Sequence, residues 1–150
     1  MVGNDGAALQ DVRQVLGGKQ NEDEIMVPAT ELEALKATFS FSHTCPTSPD
    51  SLGAMPLVDG TDPYVLTERP HLYFAGNCTQ FDTCTVTNND DDDNNMDKNM
   101  DDNMDDNMDN TTNMTRLVCI PRFSQTGQAV LVHLQSLDCQ VLEFKPNQED

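Results

Sequence analysis

The three histidines, His43, His71 and His133, are the side chains of this 150-residue sequence best suited to acid–base or metal chemistry. Their spacings match no common set of metal ligands. No glycine-rich phosphate loop and no Ser-His-Asp pattern accompanies them. His43 precedes a proline-rich segment, whereas His71 begins an apolar run and His133 lies within another. We therefore predict three ordinary histidines, hydrogen-bonded or partly exposed, the last two of them in strands.

The five cysteines also offer chemistry, because a thiolate can act as a nucleophile or bind a metal. Their number is odd, and the closest pair has a spacing that does not match the CxxC pairs of zinc sites. No signal peptide opens the chain, and no apolar run approaches the length of a membrane span. We predict an intracellular protein without a membrane partner and with buried or free thiols at Cys45, Cys78, Cys84, Cys119 and Cys139.

Residues 88–115 form a low-complexity tract that contains ten Asp, nine Asn, five Met and one Lys. Without the charges of the tract, the net charge of the chain falls from −18 to −9. Asp and Asn are poor helix formers and like charges repel, so we predict a disordered insertion. Cation binding or an interaction tail is the alternative, although the Gly and Glu positions of an EF-hand loop are missing.

The charge balance also bears on nucleic acids. Only eight Lys and Arg residues stand against 26 acidic ones, whereas DNA affinity depends on cations that neutralise phosphates. We expect this chain to reach DNA only through a partner. Asp50, Asp59 and Asp62 lie near prolines, where Asp commonly caps turns, and we predict that role for them.

Two helices and at least four strands are predicted to position these side chains. Apolar residues three and four apart predict a helix from Ala8 to Leu16, which Gly17 and Gly18 end. The polar residues 19–27 predict a loop. A capping box predicts the start of the second helix, whose apolar face is Leu32, Leu35 and Phe39; the capping residues are Thr30 and Glu33.

The second half of the sequence favours strands. After the proline-rich connection 42–70, we predict a buried strand at His71–Ala75, which a turn at Gly76 and Asn77 ends. Three further strands are predicted, with residues 123–128 as a turn between the first two. Two helices followed by at least four short strands predict the tail of an α/β or α+β domain. No β–α–β series is visible in the sequence. The three strands are Leu117–Ile120, Ala129–Val132 and Val141–Phe144.

Several stretches, taken in order, resemble the small subunits of DNA polymerase delta. Pro46–Gly53 is similar to a proline-rich segment near the C-terminus of that family, and Pro70–Asn77 follows at the family's approximate spacing. Pro121–Gly127 resembles the family's Pro-x-Phe-Ser turn, and Leu134–Gln140 resembles its closing strand. The resemblance covers nearly the whole chain except the acidic tract.

The resemblance implies the C-terminal part of a calcineurin-like phosphoesterase domain, which has two packed sheets flanked by helices. Residues 1–87 and 116–150 would form this part, with 88–115 as an insertion between them. The family's oligonucleotide-binding barrel and the first half of the phosphoesterase domain are expected to lie outside this sequence.

The resemblance also implies that the domain is inactive. Active phosphoesterases of this superfamily use two metal ions, and their last motif, Gly-His-x-His, follows an apolar strand. That motif aligns with Gly76–Thr79, so Asn77 and Thr79 stand at the positions of the two imidazoles. An amide and a hydroxyl do not replace two nitrogen ligands. We therefore expect no catalytic residue, metal or cofactor; a residual metal-dependent phosphodiesterase or exonuclease subunit is the alternative.

In the role that the family implies, the inactive domain is a scaffold in DNA replication and repair synthesis. It would hold the C-terminal domain of the polymerase catalytic subunit and anchor a third subunit. The resemblance implies a nuclear location for the protein. The residues that would contact these partners are not indicated by the sequence.

Overall fold

The computed structural model describes residues 1–20, 25–53, 59–87 and 114–145. These residues form three helices and eight strands, so the predicted mixture of helices and strands is confirmed for the described part. The helices are α1 (Ala7–Leu16), α2 (Glu31–Ser40) and α3 (Phe123–Thr126). The strands are β1 (Val2–Asn4), β2 (Gly18–Gln20), β3 (Ile25–Val27), β4 (Leu72–Cys78), β5 (Asp82–Thr87), β6 (Met114–Pro121), β7 (Gln128–Val132) and β8 (Cys139–Glu143).

The main sheet has four strands in the order β1-β4-β6-β5. β1, β4 and β6 run parallel, and β5 pairs antiparallel with β6. The central strand β4 pairs with β1 on one side and β6 on the other, and the helices pack against its face. Its sequence is therefore an apolar run, in which Tyr73 and Ala75 are fully buried. Parallel β1 and β4 are joined through α1 and α2, a single β–α–β crossover that was not visible in the sequence.

Both predicted helices are confirmed. α1 buries Leu9 and Val12 and ends where the Gly17 N–H donates to the Arg13 carbonyl oxygen at 3.0 Å. At the start of α2, the Glu33 N–H donates to Thr30 Oγ1 at 3.1 Å and the Thr30 N–H donates to Glu33 Oε2 at 2.7 Å. This reciprocal pair is the predicted capping box, and it satisfies two amides that the first turn would otherwise leave unpaired.

One hydrophobic core joins the helices to the main sheet. Leu9 and Leu35 from the helices meet Tyr73 and Leu117 from β4 and β6, and all four are fully buried. Burying a large apolar side chain stabilises a fold by about 1.5–3 kcal/mol, so this core holds α1 and α2 against β4 and β6. The core thereby fixes where the helix starts lie relative to the strand ends.

Several predicted boundaries require correction. The predicted loop 19–27 contains β2 and β3, which form an antiparallel hairpin; residues 21–24 lie outside the described part. β4 continues through a bulge to Cys78 instead of ending at Gly76. The predicted turn 123–128 contains the short helix α3. β6 begins at Met114, so the last two residues of the predicted insertion 88–115 belong to a strand; residues 88–113 lie outside the described residues.

The last two strands stand apart from the main sheet. β7 and β8 pair antiparallel as a separate two-stranded sheet, which follows β6 through α3. The side chain of Arg116 in β6 holds the turn of this hairpin, because its Nε donates to the Leu137 carbonyl oxygen at 3.0 Å. In the described part of the chain, no helix has the length and apolar character needed to cross a bilayer.

Candidate functional site

The carboxyl ends of β1 and β4 meet at one edge of the main sheet. Ligands and metals of α/β proteins are often bound at such an edge, because parallel strands deliver side chains to the same place. Here the edge consists of Asn4–Gly6 after β1, Gly76–Thr79 at the end of β4, and Glu31 at the start of α2. We call this group of residues the strand-end corner.

The backbone of the corner is tightly constrained. Gly6 has a φ of +86°, and a Cβ atom at this position would collide with the Gly76 carbonyl oxygen. The Gly6 N–H donates to Asn4 Oδ1 at 2.9 Å. Asn77 also lies in the left-handed region, with a φ of +54°, which Asn tolerates better than most residues. Its side-chain Nδ2 donates to the Asp5 carbonyl oxygen at 3.0 Å, so Asn77 ties β4 to the turn after β1.

Thr79 is tied to α2 instead. Both its backbone N–H and its hydroxyl donate to Oε2 of Glu31, each at 2.8 Å. The Glu31 side chain is only 6% exposed, and these two bonds connect residues 48 positions apart in the sequence. A buried carboxylate is stable only when its oxygens are paired, and the Thr79 donors satisfy one of them.

The second carboxylate oxygen of Glu31 faces α1. Arg13 Nη1 lies 3.3 Å from Oε1, and Gln10 Nε2 donates to the same atom at 3.3 Å. Arg13 also donates through Nε to the Ala29 carbonyl oxygen at 2.7 Å. Glu31 therefore links α1, α2 and the end of β4, and its position in the first turn of α2 favours a negative charge there.

A third set of buried polar groups crosses the core behind the corner. Thr38 Oγ1 donates to the Leu35 carbonyl oxygen at 2.9 Å and lies 3.1 Å from the Tyr73 hydroxyl. Because the Thr38 proton is used by Leu35, the Tyr73 hydroxyl donates to Thr38. Burial raises the pKa of Tyr73, so this hydroxyl remains a neutral donor.

The residues of the corner do not fit a two-metal centre. Asn77 and Thr79 both lie in this corner, but their side chains bond to different partners, Asp5 and Glu31. An amide oxygen and a hydroxyl would be weak ligands for a borderline cation. Among the described residues, no group of three or more His, Cys, Asp or Glu side chains is arranged to hold a metal ion. What the arrangement does chemically is to hold three elements together through hydrogen bonds.

His43 has the ordinary hydrogen-bonded role that we predicted. Its Nδ1 accepts from the Cys45 N–H at 3.1 Å, so Nε2 carries the proton and donates to Asp62 Oδ2 at 2.9 Å. This bond, together with the Tyr64 N–H on the other carboxylate oxygen, lowers the pKa of Asp62. Asp62 and Asp59 both cap turns as predicted, because Asp59 Oδ1 accepts from the Thr61 N–H at 3.0 Å.

His133 lies in a serine and aspartate cluster that sequence analysis missed. His133 follows β7, and His71 precedes β4. The prediction that these two histidines lie in strands is therefore wrong. Ser136 Oγ is 2.9 Å from His133 Nδ1 and donates to Asp138 Oδ2 at 2.6 Å. In a catalytic triad the carboxylate would orient the imidazole, whereas here it binds the serine. The cluster therefore closes the exposed β7–β8 turn and does not activate a nucleophile.

The described cysteines are all free thiols, as predicted. Cys78 and Cys119 are buried on the neighbouring strands β4 and β6. The hydrogen bond between their side chains raises the pKa of the Cys119 thiol and lowers that of Cys78. Burial also raises the pKa of the Cys45 thiol. Cys78 and Cys119 belong to the hydrophobic core, and Cys84 packs against it.

The described residues form a mixed α/β fold in which the strand-end corner holds α1, α2 and β4 together through hydrogen bonds. The chain is 35% identical to DNA polymerase delta subunit 2 of Drosophila melanogaster over 118 residues, and the aligned region covers 79% of this chain. It is 31% identical to the DNA polymerase delta small subunits of Oryza sativa subsp. japonica and Arabidopsis thaliana, over 91% and 95% of this chain. No family model matches the chain.

The chain belongs to the family of DNA polymerase delta small subunits, as its resemblance predicted. It spans about a quarter of the length of these relatives, namely 22%, 27% and 25%.

Proposed function

We propose that this chain is a non-catalytic, scaffold-forming part of a small subunit in the DNA polymerase delta complex. In this role it contributes to bridging the C-terminal domain of the catalytic subunit and a third subunit during replication and repair synthesis. It reaches DNA only through these partners, and it works in the nucleus. The excess of 26 acidic over eight basic residues supports the indirect contact with DNA.

The observation that carries this proposal is the use of the strand-end corner. Glu31 accepts two hydrogen bonds of 2.8 Å from Thr79, and Asn77 is held on Asp5. We propose that residues 1–87 and 116–150 belong to an inactive, calcineurin-like phosphoesterase domain in which this hydrogen-bonded cluster replaces a metal site. A rigid domain without catalytic ligands still provides a stable surface for protein partners.

A chimera tests the proposal. The chain replaces the matching segment of the Drosophila melanogaster relative, and the chimera is co-expressed with the catalytic subunit of the fly polymerase. We expect one-to-one co-purification at physiological salt. A chimera with the fully buried Leu35 changed to Asp should fail, whereas the exposed Glu68→Gln variant should assemble. If the fly subunit assembles and the unaltered chimera does not, the scaffold proposal is wrong.

A nuclease assay on the purified chimera addresses the enzymatic alternative. We expect no hydrolysis of DNA with Mn²⁺ or Mg²⁺ above the level of the Glu31→Ala variant. Turnover that requires Asn77 or Thr79 would contradict the non-catalytic role.

A further inference from the structure

Two of the buried thiols lie side by side behind the strand-end corner. Cys78 ends β4, and Cys119 lies in the neighbouring strand β6. The ladder pairs Ala75 with Cys119 and Cys78 with Pro121, with a bulge between the two pairs. Across this bulge the two thiols are hydrogen-bonded to each other, and both belong to the same hydrophobic core. The fold therefore brings together two cysteines that are far apart in the sequence.

The pair is buried, yet it lies close to solvent. Cys78 is 1% exposed and Cys119 is fully buried. The neighbours of Cys78 in the sequence, Asn77 and Thr79, are both exposed because the sheet ends here. A strand end that a bulge already interrupts opens at a lower cost than the centre of the sheet. Local opening of the corner therefore exposes Cys78 to a small oxidant while the core behind it stays closed.

We propose that Cys78 and Cys119 form a redox-sensitive pair, which hydrogen peroxide oxidises to a disulfide between β4 and β6. The Cys78 thiolate attacks one oxygen of the peroxide, the O–O bond breaks, and Cys78 becomes a sulfenic acid. The released hydroxide takes up the Cys78 proton and forms water. Sγ of Cys119 then attacks the Cys78 sulfur, the S–O bond breaks, and the Cys119 proton leaves with this oxygen as a second water. The two thiols together lose two electrons, and the peroxide gains them.

The hydrogen bonds of the pair assign the two roles. Cys78 Sγ donates to the Ala75 carbonyl oxygen at 3.6 Å, so Cys119 is the donor in the bond between the thiols. This bond lowers the pKa of Cys78 and raises that of Cys119. The thiolate is the reactive form of cysteine, so Cys78 attacks the oxidant. Cys119 then resolves the sulfenic acid, since it is already in contact with Cys78.

The disulfide fastens the end of β4 to β6. It also closes a long loop of chain that contains β5 and residues 88–113. A cross-link over a long loop restricts the unfolded chain and thereby stabilises the folded one. Oxidation thus adds a covalent bond to a corner that hydrogen bonds alone hold in the reduced chain. The pair responds to oxidation whichever partners the chain binds, so its test is independent of the scaffold function.

Peptide mapping of the full 150-residue chain tests the pair. The chain is treated with hydrogen peroxide, its remaining thiols are blocked with N-ethylmaleimide, and it is digested without reductant. Cleavage by chymotrypsin after Phe74 and Phe81 separates Cys78 from Cys84. We expect one disulfide, between Cys78 and Cys119, which dithiothreitol reverses. We also expect the urea midpoint to rise by about 1 M or more on oxidation and to fall back on reduction.

Serine variants give the matched comparison. Cys78→Ser and Cys119→Ser should each lose the disulfide and the rise in the urea midpoint, whereas Cys84→Ser, which changes a partly buried neighbour on β5, should keep both. If circular dichroism shows that a core variant is unfolded, the map of the unaltered chain decides alone. A disulfide that involves Cys84, thiols that stay reduced, or an unchanged midpoint would overturn the proposal. So would the same mixture of disulfides in native and urea-unfolded chains, because the fold would then select no pair.

Discussion

Replacing Glu31 by alanine removes the acceptor that joins α1, α2 and the end of β4. Oε2 of Glu31 accepts two bonds of 2.8 Å from Thr79, and Oε1 has two weaker contacts of 3.3 Å with Arg13 and Gln10. Hydrogen bonds to a charged group contribute about 1.5–3 kcal/mol each. Thr79 is exposed and regains water in the variant, and Arg13 keeps Ala29. We therefore expect a net loss of about 2–3 kcal/mol.

Urea unfolding followed by circular dichroism measures this loss. With a slope of about 1.5 kcal/mol per molar urea, the midpoint of Glu31→Ala should fall by about 1.3–2 M. The matched control is Glu33→Gln, two residues along the same helix and exposed. Gln can still accept from the Thr30 N–H and complete the capping box, so its urea midpoint should change much less than that of Glu31→Ala. If Glu31→Ala unfolds at the same urea concentration as Glu33→Gln, the strand-end corner does not hold the elements together as argued.

Four further outcomes are expected. Gly6→Ala should cost at least about 2 kcal/mol in thermal unfolding because its φ is +86° and its Cβ would strike Gly76, whereas Gly53→Ala, with open space around it, should be neutral. Asn77→His combined with Thr79→His removes the Asn77 bond to Asp5 and the Thr79 hydroxyl bond to Glu31, so it should lose about 2–3 kcal/mol in the same assay and show no saturable Zn²⁺ heat beyond the unaltered chain. An Asn-Gly turn in place of residues 88–113 should leave the melting temperature unchanged, since Thr87 pairs directly with Met114. Removal of residues 88–115 should lower the melting temperature, because the Thr115 hydroxyl donates to the buried Pro70 carbonyl oxygen at 2.7 Å. The pKa of Asp62 is lowered from its ordinary value of 3.8, so its stabilisation is present above pH 3.8 and is lost as the pH falls through the lower pKa of the folded state. When urea midpoints are measured against pH, Asp62→Asn should therefore show a smaller fall in stability on the acid side.

Local patterns predicted the helices well. The capping box at Thr30 and the end of α1 at Gly17 depend on residues three or four apart, and the structure confirms both. β1 was missed because three residues are too few to show a period, and only pairing with β4, some 70 residues later, makes them a strand. β5 was also missed, although alternating Thr residues from Thr83 to Thr87 were a usable signal.

The candidate site was predictable only in part. The residues of interest at the end of β4, Asn77 and Thr79, follow from the family resemblance. Their partner Glu31 does not, because nothing in a sequence marks an acidic residue for burial when its donors lie 18 and 48 positions away. The same limit applies to His133, whose contact with Ser136 depends on the conformation of the β7–β8 turn.

Paramagnetic broadening by Mn²⁺ tests most directly whether the strand-end corner is held together by hydrogen bonds and binds no metal ion. The chain is labelled with ¹⁵N, and Asn-Gly replaces residues 88–113 so that the acidic tract does not contribute. At an equimolar concentration of Mn²⁺, the account predicts that the amide signals of Gly76–Thr79 and the Asn77 side-chain signals keep their intensity. Selective loss of these signals, reversed by chelation and abolished in Asn77→Ala, would contradict it.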